Sequence, residues 1–423
     1  MKNAKFRSIA AAVAAVAAAA FSRVAPAADL ETERSAGIYH SYEFEDVRDT
    51  PPPEGYVPFY VSHYGRHGSR FQRNGDRLKA CAAMKTAGEA GLLTPLGRDV
   101  QGRLDRLAKA HEGMFKCLAM RGAEEHKRLA RRMFERFPAV FADGGRVRCQ
   151  STTKYRCLAS MANFATALKG AAPALDFSFE TGERSEKILL GGADDRDESL
   201  FGDIGAILEP LRKNVAGPGR LMSALFTDPA AAEKAVGAPA QFAEALFDAA
   251  SACQSLAREL DGMDVYDVFT GEELASFSRF DDCRYYAGMG NSVEFGDRVA
   301  RRLKALPGDV VARADAAIAD GGVCADLRFG HDSGLLPLTA FIGLEGPGDR
   351  VPVAEAWERC PLWRCMPMAS NVQMVFYRKD GADVLVKVLF NERETAIRGL
   401  SPVAGPYYRW QDLRVRLERG VLL

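Results

Sequence analysis

The chain has 423 residues, of which 47% are apolar and 26% are charged. This composition supports a large buried core and excludes a disordered or low-complexity protein. Lysine plus arginine and aspartate plus glutamate both number 56, a balance that argues against general nucleic-acid binding. An anion site would therefore need a local concentration of arginine or lysine.

The amino-terminal residues have the pattern of a secretory signal peptide. Cationic residues precede an apolar run at residues 9–21, and small residues follow at 25–27. The run is shorter than the roughly 20 helical residues needed to span a bilayer. We therefore predict residues 1–27 to be a leader cleaved near Ala27, and the mature protein to be periplasmic or secreted without a stable membrane anchor.

Six runs rich in β-branched and aromatic residues predict strands, and patterns with apolar residues three to four positions apart predict helices between them. The strands are expected at 57–62, 146–150, 175–179, 324–329, 374–377 and 384–389. The helices are expected at 104–115, 123–137, 159–168, 240–256 and 295–306. Strands that alternate with helices predict an α/β core with a largely parallel sheet.

Residues 191–300 contain much alanine and no good strand pattern, which predicts a mostly helical insertion. We expect an α/β core made of residues 28–70, 118–190 and 301–423. A helical cap would then consist of residues 71–117 and 191–300.

The nine cysteines all follow the predicted leader. Export makes disulfides possible, and Cys149 with Cys157 and Cys360 with Cys365 are the local candidate pairs. The spacing does not determine the connectivity, and the odd number leaves at least one thiol unpaired in a monomer.

No pattern in the sequence predicts a metal site. No CxxC pair or Cys/His cluster has zinc spacing. His63 and His67 are four positions apart, as metal ligands on a helix are, but they lie in a glycine-containing turn without the glutamate of H-E-x-x-H. We therefore predict no metal and no cofactor.

The first candidate functional motif is residues 62–70, directly after the first predicted strand. A strand that ends in a glycine-containing turn leaves its side chains at the carboxyl edge of the sheet, where α/β proteins usually bind ligands. Arg66 and Arg70 flank His67, and two guanidiniums are suited to bidentate binding of phosphate or carboxylate. On composition alone, a loop of solvated arginines with a turn histidine is an equal alternative.

The second motif lies at residues 327–338, where an apolar run ends in glycine and is followed by His331 and Asp332. A histidine beside an aspartate is suited to place a phosphate ligand next to a proton donor. Taken alone the pair is a weak signal, because Asp332 has an alternative role as a helix N-cap.

Together, residues 66–70 and the His331-Asp332 pair resemble the histidine acid phosphatase family, the second branch of the histidine phosphatases. That branch includes phytases, glucose-1-phosphatase and multiple inositol polyphosphate phosphatase. The resemblance covers essentially the whole chain after the leader, and residues 148–168 resemble the segment that carries a third phosphate-binding arginine, here Arg156. It implies a three-layer α/β/α histidine-phosphatase core with a mostly helical cap.

The resemblance also implies a role for each residue of the two motifs. His67 would be the nucleophile and Asp332 the proton donor, since Ser333 stands where the multiple inositol polyphosphate phosphatases usually carry glutamate. Phosphate binding is implied for Arg66, Arg70, Arg156 and His331.

The function implied by the resemblance is hydrolysis of small-molecule phosphate monoesters, with inositol phosphates as preferred substrates. Acid pH would be favoured because Asp332 must be protonated to donate. The alternatives are a sugar-phosphate or general acid phosphatase and, from another class, a non-catalytic phosphate or inositol-phosphate binding protein. A mutase of the sister branch is a further alternative, which the predicted leader and the His-Asp pair argue against.

Overall fold

The protein is described by a computed structural model over residues 30–190, 198–301, 303 and 305–420, so the predicted leader lies outside the described residues. The strands are β1 (Val57–Arg66), β2 (Gly145–Ser151), β3 (Leu175–Thr181), β4 (Val323–Gly330), β5 (Asn371–Arg378), β6 (Leu385–Phe390), β7 (Arg393–Glu394) and β8 (Tyr407–Arg409). All six predicted strands are present, and the short strands β7 and β8 are additional.

Helices account for most of the remaining described residues. The first nine are α1 (Leu30–Arg34), α2 (Lys79–Glu89), α3 (Pro95–Ala110), α4 (Met120–Arg136), α5 (Pro138–Phe141), α6 (Tyr155–Ala171), α7 (Glu183–Leu190), α8 (Glu198–Arg212) and α9 (Gly219–Leu225). The others are α10 (Pro229–Val236), α11 (Pro239–Ser255), α12 (Gly271–Met289), α13 (Gly296–Ala300), α14 (Ala305–Asp320), α15 (Asp332–Ile342), α16 (Ala356–Arg359), α17 (Leu362–Cys365) and α18 (Trp410–Arg419).

The eight strands form one mixed sheet in the order β3-β2-β4-β1-β5-β6-β7, and β8 pairs with β6. The four strands from β3 to β1 are parallel, whereas β5 runs antiparallel to β1 and β6 antiparallel to β5. The predicted α/β class is confirmed. The antiparallel half of the sheet is the part that the alternating pattern did not predict.

Hydrophobic cores cover both faces of the sheet. On β1, Tyr60 and Tyr64 point into a core shared with α14 and α15, and Val61 points into a second core shared with α4 and α6. The sheet therefore lies between two helical layers, because side chains alternate between the faces of a strand. This explains why β1 reads as a nearly continuous buried run rather than as an alternating one.

A third hydrophobic core lies away from the sheet. It joins α2 and α3 to α9, α11 and the first half of α12, and it has its own aromatic cluster of Phe247, Phe269 and Phe277. No strand lies among the described residues from 198 to 300. This arrangement is compatible with a helical cap built from two segments, although the residue boundaries of core and cap stay a prediction.

Two of the predicted helices differ from the structure. The pattern at 295–306 predicts one helix, but α13 ends at Ala300 and α14 begins at Ala305. Pro307 lies in the first turn of α14, where its missing N–H breaks no helical hydrogen bond. The helix predicted from residue 104 begins earlier, at Pro95, because the Thr94 side chain caps it by accepting a hydrogen bond from the Gly97 N–H.

All nine cysteines are unpaired in the structure, and eight of them are buried. Across the described ranges, no helix combines the length and the apolar character needed to cross a membrane.

Candidate active site

The two predicted motifs meet at the carboxyl edge of the sheet. β1 and β4 are parallel neighbours, with Arg66 paired to Gly330 at the last position of each strand. The His67 N–H continues the pairing by donating to the Gly330 carbonyl at 3.0 Å. This register brings the imidazoles of His67 and His331 to 5.5 Å between ring centroids, although the two residues are far apart in sequence.

Residues 66–70, which we call the phosphate loop after the role predicted for them, are anchored on α4 and α6. The Ser69 N–H and hydroxyl each donate to the Glu125 carboxylate at 2.8 Å, and the Gly68 N–H donates to the Ser160 hydroxyl at 3.1 Å. A Cβ atom at Gly68 would lie 2.6 Å from the Gly122 carbonyl oxygen. Only glycine at position 68 allows this close approach of the loop to α4.

Arg66 is fully buried and held by three acceptors. Its Nη1 donates to the carbonyls of Ile38 and Met366, both at 2.7 Å, and its Nη2 lies 2.9 Å from the Asp332 carboxylate. Each acceptor comes from a different part of the chain. The position of this guanidinium is therefore determined by the fold as a whole.

Arg70 and Arg156 complete a group of three guanidiniums. Arg70 Nη1 donates to the Phe71 carbonyl at 3.0 Å, and Arg156 Nη2 lies 3.2 Å from His331 Nδ1. Within the described residues, the buried Nε atoms of Arg66, Arg70 and Arg156 have no hydrogen-bond partner. Buried donors are normally satisfied, so three unpaired ones on the cations of a single site favour an anionic partner there.

The two site histidines are neutral. Burial lowers the pKa of His67 well below its usual value, and the nearby guanidiniums lower it further, Arg156 most strongly. Burial and Arg156 likewise bring the pKa of His331 to about 3. His67 Nδ1 lies 2.9 Å from the Gly68 carbonyl, which requires the proton on Nδ1 and leaves the Nε2 lone pair free.

Asp332 is the first residue of α15 and is about one quarter exposed. Burial by itself would raise the pKa of its carboxyl group, but Arg66, then His331 and Arg70, outweigh burial and lower it. The carboxylate is therefore ionised in the ligand-free site. A bound phosphoryl anion would offset the cations and raise this pKa, because like charges favour the neutral acid.

All six residues predicted from the motifs lie around this one site. The motifs did not reveal Glu125 and Ser160, which anchor the phosphate loop, or Thr152, whose hydroxyl lies 3.1 Å from His331 Nε2. Each of these three contacts depends on how distant helices and strands pack together, so no local pattern signals it. His63 lies apart from the site, with its ring 5.4 Å from that of Phe164.

Comparison with known proteins gives matches among solved structures. The multiple inositol polyphosphate phosphatase of Bifidobacterium longum, in complex with inositol hexasulfate, superposes with a TM-score of 0.77 at 19% identity, covering 91% of this chain and 97% of that chain. The phytase from D. castellii gives a TM-score of 0.66 at 15% identity, and the match covers 92% of this chain and 84% of that chain. The phytase of Klebsiella sp. ASR1 gives a TM-score of 0.54 at 11% identity, and the match covers 86% of this chain and 96% of that chain.

No family model matches the sequence, and no curated protein matches it. The structural matches cover most of each chain, although few residues are identical. The chain therefore has the fold of multiple inositol polyphosphate phosphatase and the phytases, as the two motifs predicted.

Proposed function

We propose that the protein is an exported phosphatase that hydrolyses phosphate monoesters, preferably inositol phosphates, through a phosphohistidine at His67. The observation that carries the proposal is the site itself. Three guanidiniums with open Nε donors, two neutral histidines and one carboxylate meet where β1 and β4 end. A phosphate-binding protein needs the cations, but it needs neither a nucleophile nor an acid.

In the first step, the free Nε2 lone pair of His67 attacks phosphorus and forms a P–N bond. The P–O bond to the alcohol breaks, and its electron pair leaves with the oxygen. The guanidiniums of Arg66, Arg70 and Arg156, together with His331, bind the phosphoryl oxygens and stabilise their charge in the transition state. The covalent route divides one difficult displacement into two easier ones.

Asp332 gives its proton to the departing alcohol oxygen in the first step. In the second step it accepts a proton from the water that attacks phosphorus, the P–N bond breaks, and inorganic phosphate is released. Because Arg66 keeps Asp332 ionised in the ligand-free site, the carboxyl group gains its proton only after the phosphoryl anion has engaged the cations.

Inositol phosphates are the proposed substrate class because the matching folds are those of a multiple inositol polyphosphate phosphatase and of phytases. The chain adds an observation of its own. Arg73 is exposed and lies three positions after Arg70 in the chain. A cation beside the phosphate pocket suits a substrate with several phosphates, whereas a general acid phosphatase or a sugar phosphatase would not need it.

Export is part of the proposal and is supported by the charged and apolar pattern of residues 1–27. In an oxidising compartment, Cys360 and Cys365 are the pair that we expect to form a disulfide, because both lie in one hydrophobic core five positions apart. Mass spectrometry of the exported protein would show the cleaved leader and the pairing.

The decisive assay is phosphate release by the purified protein from phytate, glucose 1-phosphate and an aryl phosphate, with chelator present. We expect release from all three, fastest from phytate, and loss of release in His67→Ala. Arg146→Ala, which changes an exposed arginine at the opposite end of the sheet, is the matched control.

The other outcomes each favour an alternative. Release from the smaller esters alone would indicate a sugar-phosphate or general acid phosphatase. Phosphate binding without release, and without acid-labile phosphorylation of His67 in a quenched reaction, would indicate a binding protein. Isomerisation of a phosphate ester without net release would indicate a mutase.

A further inference from the structure

Residues 35–42, the N-terminal strap, are buried throughout although they lie outside the sheet. The strap contacts the phosphate loop at several points. The Ile38 carbonyl accepts from Arg66 Nη1 at 2.7 Å, and the Ser41 hydroxyl lies 3.3 Å from that of Ser69. The strap is therefore part of the wall of the site.

Arg70 has few contacts that hold it in place. Among the described residues, Arg66 is held by two carbonyls and a carboxylate, whereas Arg70 donates to one carbonyl, that of its own neighbour Phe71. Its other contact with a defined geometry is the strap residue Tyr39, whose ring centroid lies 5.4 Å from the guanidinium carbon. This distance is within the range of a cation–π interaction.

Tyr39 is in turn fixed from the opposite side. Its hydroxyl lies 3.4 Å from that of Tyr285 on α12, and the Arg77 guanidinium carbon lies 5.1 Å from its ring centroid. Arg77 donates to the Tyr285 hydroxyl and pairs with Asp248 on α11. A continuous set of contacts therefore runs from Arg70 to the helices that cover the site.

Charge supports the same arrangement. Burial by itself would raise the pKa of the Tyr39 phenol, but Arg70 and Arg77 outweigh burial and lower it. Tyr39 lies between a cation of the phosphate loop and a cation held by the helical cover.

We propose that Tyr39 is a positioning residue for Arg70, and that it makes the phosphate affinity of the site depend on the contact between the N-terminal strap and α12. The proposal rests on the proposed function only in taking Arg70 as a phosphate ligand. Tyr39 does not touch the phosphate. Its ring restricts the orientation of the guanidinium, whose buried Nε has no hydrogen-bond partner among the described residues.

The test is equilibrium binding of inorganic phosphate, measured by calorimetry on the full chain, so that it does not depend on turnover. We expect Tyr39→Leu to weaken binding about tenfold, because the ring contact is lost. Tyr39→Phe keeps the ring and should weaken binding by no more than about threefold. Tyr286→Leu removes a buried tyrosine that contacts no site arginine and is the control for lost stability.

A double-mutant cycle separates positioning from a structural role. In an Arg70→Ala background, Tyr39→Leu should have no further effect on phosphate affinity, because the group it positions is gone. An equal loss with and without Arg70, or wild-type affinity in folded Tyr39→Leu, would overturn the inference. If Tyr39→Leu does not fold, Tyr39→Met, which is unbranched and lacks the ring, takes its place in the cycle.

Wild-type protein that binds no phosphate would refute the proposed function and the positioning of Arg70 together. Wild-type protein that binds phosphate and shows no effect of residue 39 would refute the positioning role alone. The two failures are therefore distinguishable.

Discussion

We expect two buried histidines, His63 and His126, to make the stability of this protein sensitive to acid. His63 and His126 form a box of four rings with Phe164 and Phe329, in which the ring centroids are 5.4 to 6.4 Å apart. Burial lowers the pKa of both imidazoles to about 3; the charge of His126 adds to this effect at His63, while the Arg66 backbone opposes it at His126. A charged imidazole in this box would have no counter-ion.

The sign and the size of the effect follow from linkage. The pKa of His126 is about 3 in the folded protein, whereas a histidine in an unfolded chain has a pKa of about 6.5. Between about pH 3 and about pH 6.5 the unfolded chain therefore binds more protons than the folded protein. The stability present above about pH 6.5 is therefore lost as the pH falls toward 3. At pH 5 the loss is about 2 kcal/mol per histidine relative to pH 8.

His126→Leu removes one titrating group and keeps a side chain of similar volume. We expect the free energy of unfolding to fall from pH 8 to pH 5 by about 2 kcal/mol less in this variant than in the wild type. The assay is urea unfolding followed by tryptophan fluorescence at both pH values. Phe164→Leu is the matched control, because it weakens the packing of the same four rings without removing a titrating group. It should lower the free energy of unfolding by the same amount at pH 8 and at pH 5.

Equal pH dependence in wild type and His126→Leu would refute the reasoning, since it would mean that His126 gains no proton on unfolding in this range. The result bears on function as well. The proposed mechanism needs a protonated Asp332 and is favoured by acid, whereas acid is expected to weaken the protein's core. We therefore expect activity to fall on the acid side because of unfolding and not because of the chemistry.

Three further variants test the site. Asp332→Asn should slow esters with poor leaving groups about 10²- to 10⁴-fold and activated aryl phosphates much less, and equal slowing of both would show that Asp332 is not the leaving-group acid. Gly68→Ala should destabilise the protein by about 1–3 kcal/mol in thermal unfolding and reduce phosphate release. The control is Gly170→Ala, on an open face of α6, which should be neutral or stabilising. Equal effects of the two variants would contradict the close packing of residue 68 on α4. Glu125→Gln should lower the free energy of unfolding by about 1–3 kcal/mol and lower kcat in steady-state assays. The reason is that one amide oxygen cannot replace a carboxylate that accepts from both Ser69 donors. An unchanged kcat would show that the loop needs no such anchor.

The sequence predicts those parts of the site that depend on local patterns of residues. Each motif follows an apolar run and a glycine, so the strand, the turn and the placement of His67 and His331 at the end of a strand are all local features. Parallel pairing of β1 with β4 then brings the two motifs together. The two motifs are far apart in sequence, and their spacing does not show that they belong to one site. Their resemblance to a single family predicts that they do.

The parts that escaped prediction are contacts between distant elements. Tyr39 ends a short 3-10 helix, and Glu125 lies in a helix rich in charged residues, yet both are buried against the phosphate loop. Their roles depend on where α4 and the strap pack, which is a property of the assembled fold. The early start of α3, by contrast, has a local signal in Thr94 and Pro95 that boundary prediction should use.

The position of β1 in the sheet has a consequence for biosynthesis. Its two neighbours, β4 and β5, both come from the last quarter of the chain, so a nascent chain that carries only the first motif has no strand with which to pair β1. Contacts of such long sequence separation form slowly, because loop closure must precede them. The candidate site therefore forms only near the end of synthesis, and a chain exported as proposed while still unfolded would cross the membrane before it could bind the proposed substrate.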